Sequence, residues 1–273
     1  MSTSLPSPAS AAPGRPEPLR IGLLGAGRVA QHLGPALAAA GHHVAFVWNR
    51  SAPAAIALAD RLPSARVLPD LTALPPADVY LLALPDAAVA PVLAAAPWPA
   101  GALVAHLAGA LPLAVFAARP EVRGGVFYPL QTFSAGRTID WPNVPLCIEA
   151  ADPAAEATLL ALAHSLSADV RRLTSAARLR LHVAAVFASN FTNHLLGIAG
   201  ALLQEAELPP TLLHALIRET TDKALDSNPF DVQTGPAVRH DAPTLAAHRA
   251  ALANHPAWQA LYQQLTASIQ AQL

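Results

Sequence analysis

Residues Gly25-Ala26-Gly27-Arg28-Val29-Ala30 set two glycines and a small residue at the spacing Gly-x-Gly-x-x-Ala. Where such a turn hands a strand over to a helix, the first glycine permits the tight turn, the second lets backbone approach a pyrophosphate, and the small third residue lets the helix pack closely. Amides at the helix N-terminus attract the phosphates. The turn follows LRIGLL and precedes a helical pattern that stops at Gly41, after which a second apolar run, HHVAFVW, begins. Gly25, Ala26, Gly27, Arg28 and Val29 are therefore the candidate cradle of a dinucleotide.

The end of the second strand selects between dinucleotides. An Asp or Glu there would accept both ribose hydroxyls of NAD, but this strand runs into Asn49-Arg50-Ser51. A planar cation and a hydroxyl complement a 2′-phosphate, which favours NADP. The alternative is that Arg50 is an ordinary solvated loop cation.

Further polar residues stand where strands are expected to end. Leu84-Pro85-Asp86 would wall the nicotinamide ribose, although Asp86 has the more ordinary role of capping the next helix. His106-Leu107-Ala108-Gly109 and Tyr128-Pro129-Leu130-Gln131 end strands on the same edge. His106 fits a core or rim position as well as a catalytic one. On a long apolar helix, Arg178, His182, Ser189 and Asn193 fall within one narrow arc at about 100° per residue, with Asn190 at its border. Such a stripe needs partners, either ligand atoms or a buried hydrogen-bond network. In Thr234-Gly235-Pro236-Ala237-Val238-Arg239-His240-Asp241, Arg239 is placed to clamp an anion with Asp241 orienting it, or the loop caps a helix and carries a surface ion pair.

Strands Leu19–Leu24, 43–48, 65–68, 79–84, 103–107, 125–128, 145–149 and 170–173 alternate with helices at 28–40, 52–61, 86–95, 111–118 and 153–167. Near-continuous apolar strands alternating with helices predict a mostly parallel sheet covered on both faces. After Thr174 only helices are expected, at 176–206, 210–226, 243–253 and 256–271. The fold class is thus α/β, an N-terminal Rossmann domain at 19–174 followed by an all-helical domain at 175–273. Residues 1–18, rich in Pro, Ser and Ala and without an apolar signal core, read as a disordered tail.

The 273 residues suit about two domains at roughly 150 residues each, and 53% hydrophobic content against 13% charged promises a large core. A formal net charge of −1 with no like-charge run argues against nucleic acid and membrane surfaces as partners and for a small-molecule substrate. One cysteine, Cys147, excludes an intramolecular disulfide, and the eleven histidines show no metal-ligand spacing, so no metal is expected. No uninterrupted apolar stretch reaches 18 residues, so a soluble, cytoplasmic protein is expected.

The segments IGLLGAGRVA, LALPD, HLAGAL, YPLQTF, HVAAVFASNF and TGPAVRHD resemble the Rossmann-like proteins that carry a C-terminal helical domain of unknown function, DUF 2520. That family is distantly similar to β-hydroxyacid dehydrogenases, pyrroline-carboxylate reductases and ketopantoate reductases. The resemblance covers nearly everything from Leu19 onward. It implies hydride transfer between NADP and a small substrate in the interdomain cleft, and a homodimer formed through the helical domains. Three departures stand out. The dehydrogenases carry a Lys four residues before an Asn where this chain has Arg178 and His182, and Arg cannot shuttle a proton near neutrality. His182 can, which makes it the candidate general acid/base. Relatives usually have His in place of Tyr128, so a proton donor is lost there, and Gly in place of His240.

The leading reading is an NADP-dependent oxidoreductase. His182 transfers a proton, Asn190 orients the substrate and Arg239 holds its anionic group, with His106 beside them. The other is a non-catalytic NADP-binding module whose helical domain serves dimerisation or partner binding.

Overall fold

The computed structural model describes residues 17–272, so the expected tail lies outside the described residues as far as Pro16. A first βαβ unit forms from β1 (Arg20–Leu24), α1 (Arg28–Ala39) and β2 (His43–Trp48), with β1 and β2 parallel. Gly41 ends α1 in the left-handed conformation, φ +96°, and the N–H groups of Gly41 and His42 bond back to the carbonyls of Ala38 and Leu37, each at 3.0 Å. That closure satisfies carbonyls the helix would otherwise leave open.

The chain continues through α2 (Ala52–Ala59), β3 (Arg66–Leu68), β4 (Val79–Leu82), α3 (Asp86–Ala95), β5 (Leu103–His106), β6 (Arg123–Pro129), β7 (Leu146–Ala150), α4 (Pro153–His164) and β8 (Val170–Arg172). The eight strands order as β3-β2-β1-β4-β5-β6-β7-β8 and run parallel except at the β6–β7 pair. This is the mostly parallel Rossmann sheet that the alternating pattern predicts. The helix expected at 111–118 is instead a 3-10 turn over Leu113–Ala118. Pro112 opens it, and the Leu113 N–H, which a helix leaves unpaired at its first position, donates to Ser175 Oγ at 2.9 Å.

Side chains alternate between the two faces of the sheet. Ile21, Leu23, Val79, Leu81 and Ala105 pack beneath α1, α2 and α4, while Tyr80, Leu82 and Val104 pack beneath α3 and Trp98. Each fully buried large aliphatic contributes about 1.5–3 kcal/mol, and this two-sided core fixes the strand ends that carry the glycine turn.

A long helical stretch follows from Ser175 to Glu205. It comprises α5 (Ser175–Ala185), a π-helical segment (Val186–Phe191) and α6 (Thr192–Glu205). By length and composition it is the one helix among the described residues apolar enough to cross a membrane. A 3-10 turn (Pro210–Leu213), α7 (His214–Asp226), α8 (Ala242–Ala251) and α9 (Pro256–Gln270) complete the chain. Two compact units part inside the long helix, between Ser189 and Asn190, whereas the sequence sets its boundary at the start of that helix. In the second unit only Ala237 and Leu252 are buried among the described residues.

Candidate functional site

The site begins at the β1–α1 turn. Gly25 has φ +112°, and a Cβ on it would stand 2.1 Å from the Ala83 carbonyl oxygen, so both conformation and space demand glycine. Its N–H donates to the Trp48 carbonyl at 2.6 Å, and the Ala26 N–H donates to Asn49 Oδ1 at 3.2 Å. Asn49 Nδ2 in turn donates to the Ser51 carbonyl at 3.1 Å. The Asn49 side chain therefore builds the turn and ties it to the end of β2. Gly27 is different: its φ is −74°, and a Cβ there would meet nothing within 4 Å. Neither strain nor packing requires glycine at 27, so what its missing side chain leaves open is a surface. The first bond of α1 closes from the Gln31 N–H to the Gly27 carbonyl at 2.9 Å, so the amides of Arg28, Val29 and Ala30 are the helix's unpaired donors. No acidic residue occupies the first turn of α1.

Arg50 and Ser51 are exposed. Arg50 makes no ion pair or hydrogen bond among the described residues, and Ser51 sits at the N-cap of α2 without a side-chain capping bond. A free guanidinium, a free hydroxyl and a helix N-terminus thus lie at the end of β2, a donor set suited to a phosphate group.

Leu84 packs beside the turn, its Cδ2 being 3.2 Å from the Cβ that Gly25 lacks. Asp86 corrects an expectation. Pro85 is the N-cap and Asp86 the first helical residue, exposed and making no capping bond, because Pro85 already takes the extended conformation a cap needs. Its charge still favours the positive end of α3. His106 belongs to the core: it has no exposed surface, stacks on Phe116 with ring centroids 5.8 Å apart, and accepts the Ala108 N–H at Nδ1 over 3.2 Å. Burial, and then the charge of Arg178, push its pKa down to about 4, so it stays neutral and has no surface to offer a substrate.

The start of α5 is pinned by a buried polar network. Arg178, 1% exposed, pairs through Nη1 with Glu149 Oε2 and donates from Nη2 to the Leu111 carbonyl at 2.6 Å. Glu149 also accepts the N–H and hydroxyl of Ser175, both at 2.8 Å. Arg178 is a structural cation joining α5 to β7. One turn later, His182 Nδ1 lies 3.1 Å from the Tyr128 hydroxyl, the two rings nearly perpendicular at 79°. Both rest on Gly109: a Cβ there would come within 2.5 Å of His182 Nδ1 and 3.0 Å of Tyr128 Cζ. Tyr128 lies at the carboxyl end of β6 and is mostly buried. Burial raises the pKa of its phenol, with Cys147 and Asp86 acting in the same direction and Arg178 against them. Sequence reasoning missed both pairings. The one acid within β7 and the glycine after β5 were the available signals.

The polar arc does not run on unbroken, because an i→i+5 turn at Val186–Phe191 holds more residues than an α-turn and shifts the faces beyond it. Asn190 and Asn193 are exposed, as is Arg239. Asp241 does not orient Arg239: its carboxylate caps α8, accepting the N–H and hydroxyl of Thr244 at 3.2 and 2.8 Å. His240 adopts φ +51°, the conformation in which a glycine is least strained.

Residues 5–130 match a Rossmann-like domain, and residues 144–269 match the domain of unknown function DUF2520. Among solved structures, a Bacteroides fragilis protein provisionally named an NADP oxidoreductase is 38% identical, covering 93% of this chain and 99% of that one at a TM-score of 0.86. A reductive aminase from Aspergillus terreus, crystallised with NADPH and ethyl levulinate, is 19% identical over 93% of each chain, TM-score 0.65. An imine reductase from Streptomyces aurantiacus is 18% identical over 92% of this chain and 93% of that one, TM-score 0.66. At those two identities the likeness is one of fold. No curated protein matches the chain.

Proposed function

This chain belongs to the family that joins a Rossmann-like domain to DUF2520, and from that premise we propose that it is an NADP-dependent oxidoreductase acting on a small, anionic substrate. The observation that carries the reading is Gly27, a glycine that neither backbone nor packing requires and that leaves the α1 amides open to a pyrophosphate. Arg50 and Ser51 supply charge and a hydroxyl for a 2′-phosphate, and the name of the Bacteroides relative agrees. Leu84 and Pro85 border the place for the nicotinamide ribose, with Asp86 behind them. Bound NADPH would supply a hydride to an acceptor carbon. The chain's own part is then to hold a proton for the partner heteroatom at His182, to orient the substrate with Asn190, and to hold its anionic group with Arg239. The protein works as a soluble, cytoplasmic enzyme.

The helical unit supports a second part of the proposal, a homodimer. With only Ala237 and Leu252 buried in that unit, it leaves Leu212, Leu216, Leu225 and Phe230 at 59%, 61%, 80% and 65% exposure. Apolar surface on that scale marks an interface, and a second copy carries the same unsatisfied helices. Light scattering after gel filtration is expected to give twice the chain mass.

Cofactor titration tests the main reading. NADPH is expected to bind more tightly than NADH, and Arg50→Ala to cost about tenfold or more in NADPH affinity while leaving NADH unchanged. Equal affinities in the wild type would refute the preference. Tight NADPH binding without turnover of keto acids, imines or aldehydes would replace the enzyme with a binding module.

A further inference from the structure

We infer that Tyr128 is the group that hands the proton to substrate, with His182 behind it as the group that restores that proton. The inference rests on the oxidoreductase reading above and assigns the donor within it. Tyr128 and His182 come from elements 54 residues apart and meet at 3.1 Å, on a glycine whose Cβ would displace both. Gly109 is thus explained by the pair: any side chain at that position would drive His182 off the phenol.

Tyr128 stands at the carboxyl end of β6, the sheet edge at which open α/β folds bind ligands. Asp86, the first residue after the segment expected to border the nicotinamide ribose, is close enough to act on the Tyr128 phenol through space. His182 from α5 meets the hydroxyl directly, while Asp86 from α3, Cys147 from β7 and Arg178 from α5 act on it through space. Their balance with burial keeps the phenol protonated at neutral pH, as a donor must be. Arg178, held by Glu149 and Leu111 one helical turn before His182, anchors the start of the helix that carries the imidazole. A phenol has one O–H and two acceptor positions. When His182 Nδ1–H donates to the oxygen, the O–H is left for a substrate.

The step balances. In reduction of a C=O or C=N group, a hydride from bound NADPH would bring both electrons to the carbon, and the Tyr128 proton forms the new O–H or N–H bond. The Tyr128 oxygen recovers a proton from His182 Nδ1, and half-buried His182 takes one from solvent through Nε2. Oxidation runs the same transfers backwards. The residue that a comparison with relatives marks as a lost donor is thus the donor here.

Tyr128→Phe keeps the ring on Gly109 and removes only the hydroxyl. It is expected to lower kcat by about 100-fold or more while leaving NADPH affinity and Tm unchanged, and to abolish the alkaline fall in the pH–kcat profile that phenol ionisation causes. Tyr128→His, whose imidazole also donates a proton, is expected to recover more activity than Tyr128→Phe. Independently of turnover, the side-chain nitrogen resonances of His182 in cofactor-free protein are expected to change between wild type and Tyr128→Phe. A Tyr128→Phe enzyme within threefold of wild-type kcat, or His182 resonances that ignore the substitution, overturns the inference and leaves the oxidoreductase reading standing. A wild type that binds no NADPH, or binds it and reduces nothing, overturns both.

Discussion

The sheet unit and the helical unit use the same kinds of residue to opposite ends. In the first, Leu23, Leu33, Leu81 and Leu159 have no exposed surface and the central strands are buried, although Ile56, Leu179, Val183 and Phe187 stay exposed. In the second, Leu212 and Leu216 are more than half exposed, and only Ala237 and Leu252 are buried. A chain that can bury aliphatics completely in one region has no physical reason to strand them in another unless something else covers them. The first unit buries a two-sided core within its own sequence, and for the second the proposed homodimer would supply the cover. The residues proposed to hold the cofactor all lie in the sheet unit. A dinucleotide cradle needs positions fixed to a fraction of an ångström, which a two-sided core supplies.

The largest expected effect follows from breaking that contrast. Leu212→Asp combined with Leu216→Asp puts two charges on the exposed apolar face. If the helical units pair as proposed, it is expected to give a monomer in light scattering, and to unfold the helical unit while NADPH binding survives. A double variant that stays dimeric with unchanged Tm would erase the distinction between the units.

Arg178→Met tests the joint between sheet and long helix. Removing a buried cation leaves Glu149 without its partner, and a loss of about 3–5 kcal/mol is expected in urea unfolding. Arg171→Met removes an exposed pair with Asp169, the arginine side chain being 66% exposed, and is expected to cost under about 1 kcal/mol. Similar costs for both would mean that the Arg178 network fixes nothing.

The closed core also carries a pH dependence. His106 is held neutral with its pKa pushed down to about 4, whereas an unfolded histidine titrates near 6.5. Between those values the unfolded chain binds more protons, so stability is full above about 6.5 and falls as pH drops towards 4, by on the order of 3 kcal/mol. His106→Asn is expected to flatten that slope in a series of urea midpoints, even from a lower starting stability. An unchanged slope would place the acid sensitivity elsewhere.

The smallest effect separates two glycines two residues apart. Gly25→Ala forces a Cβ against the Ala83 carbonyl at a positive φ and is expected to lower Tm measurably. Gly27→Ala, facing open space at φ −74°, is expected to leave Tm unmoved and weaken NADPH binding by about tenfold. If Gly27→Ala lowers Tm as Gly25→Ala does, its openness belongs to the fold and not to a ligand.

Much of this was legible along the chain because the signals are local. Gly25-x-Gly27-x-x-Ala30 lies between an apolar run and a helical pattern, Gly41 falls where the helix needs a left-handed cap, and Asn49-Arg50-Ser51 follows the second strand directly. In each case the deciding atoms belong to residues a few positions apart, so spacing carries the geometry. Asn49 shows where this stops. Its place at the end of β2 was visible, but that its amide would be spent holding Ala26 and Ser51 depends on how two strands lie side by side.

The misses share one cause. The 3-10 turn at Leu113–Ala118 is tied at its start to Ser175, far along the chain, which takes the Leu113 amide. The π segment at Val186–Phe191 broke a polar arc that regular periodicity would have kept straight. Arg178 stands where the dehydrogenases carry a lysine, but Glu149 and Leu111 enclose it, and nothing along the chain signals that His182 comes within 3.1 Å of the Tyr128 hydroxyl. The sequence by itself determined the sheet, the glycine turn and the preference for a 2′-phosphate, since periodicity and turn chemistry act over a few residues. Which polar side chains meet, which are spent on structure and which remain for a ligand was decided only by the tertiary structure, because a hydrogen bond is set by distance in space and not by separation along the chain.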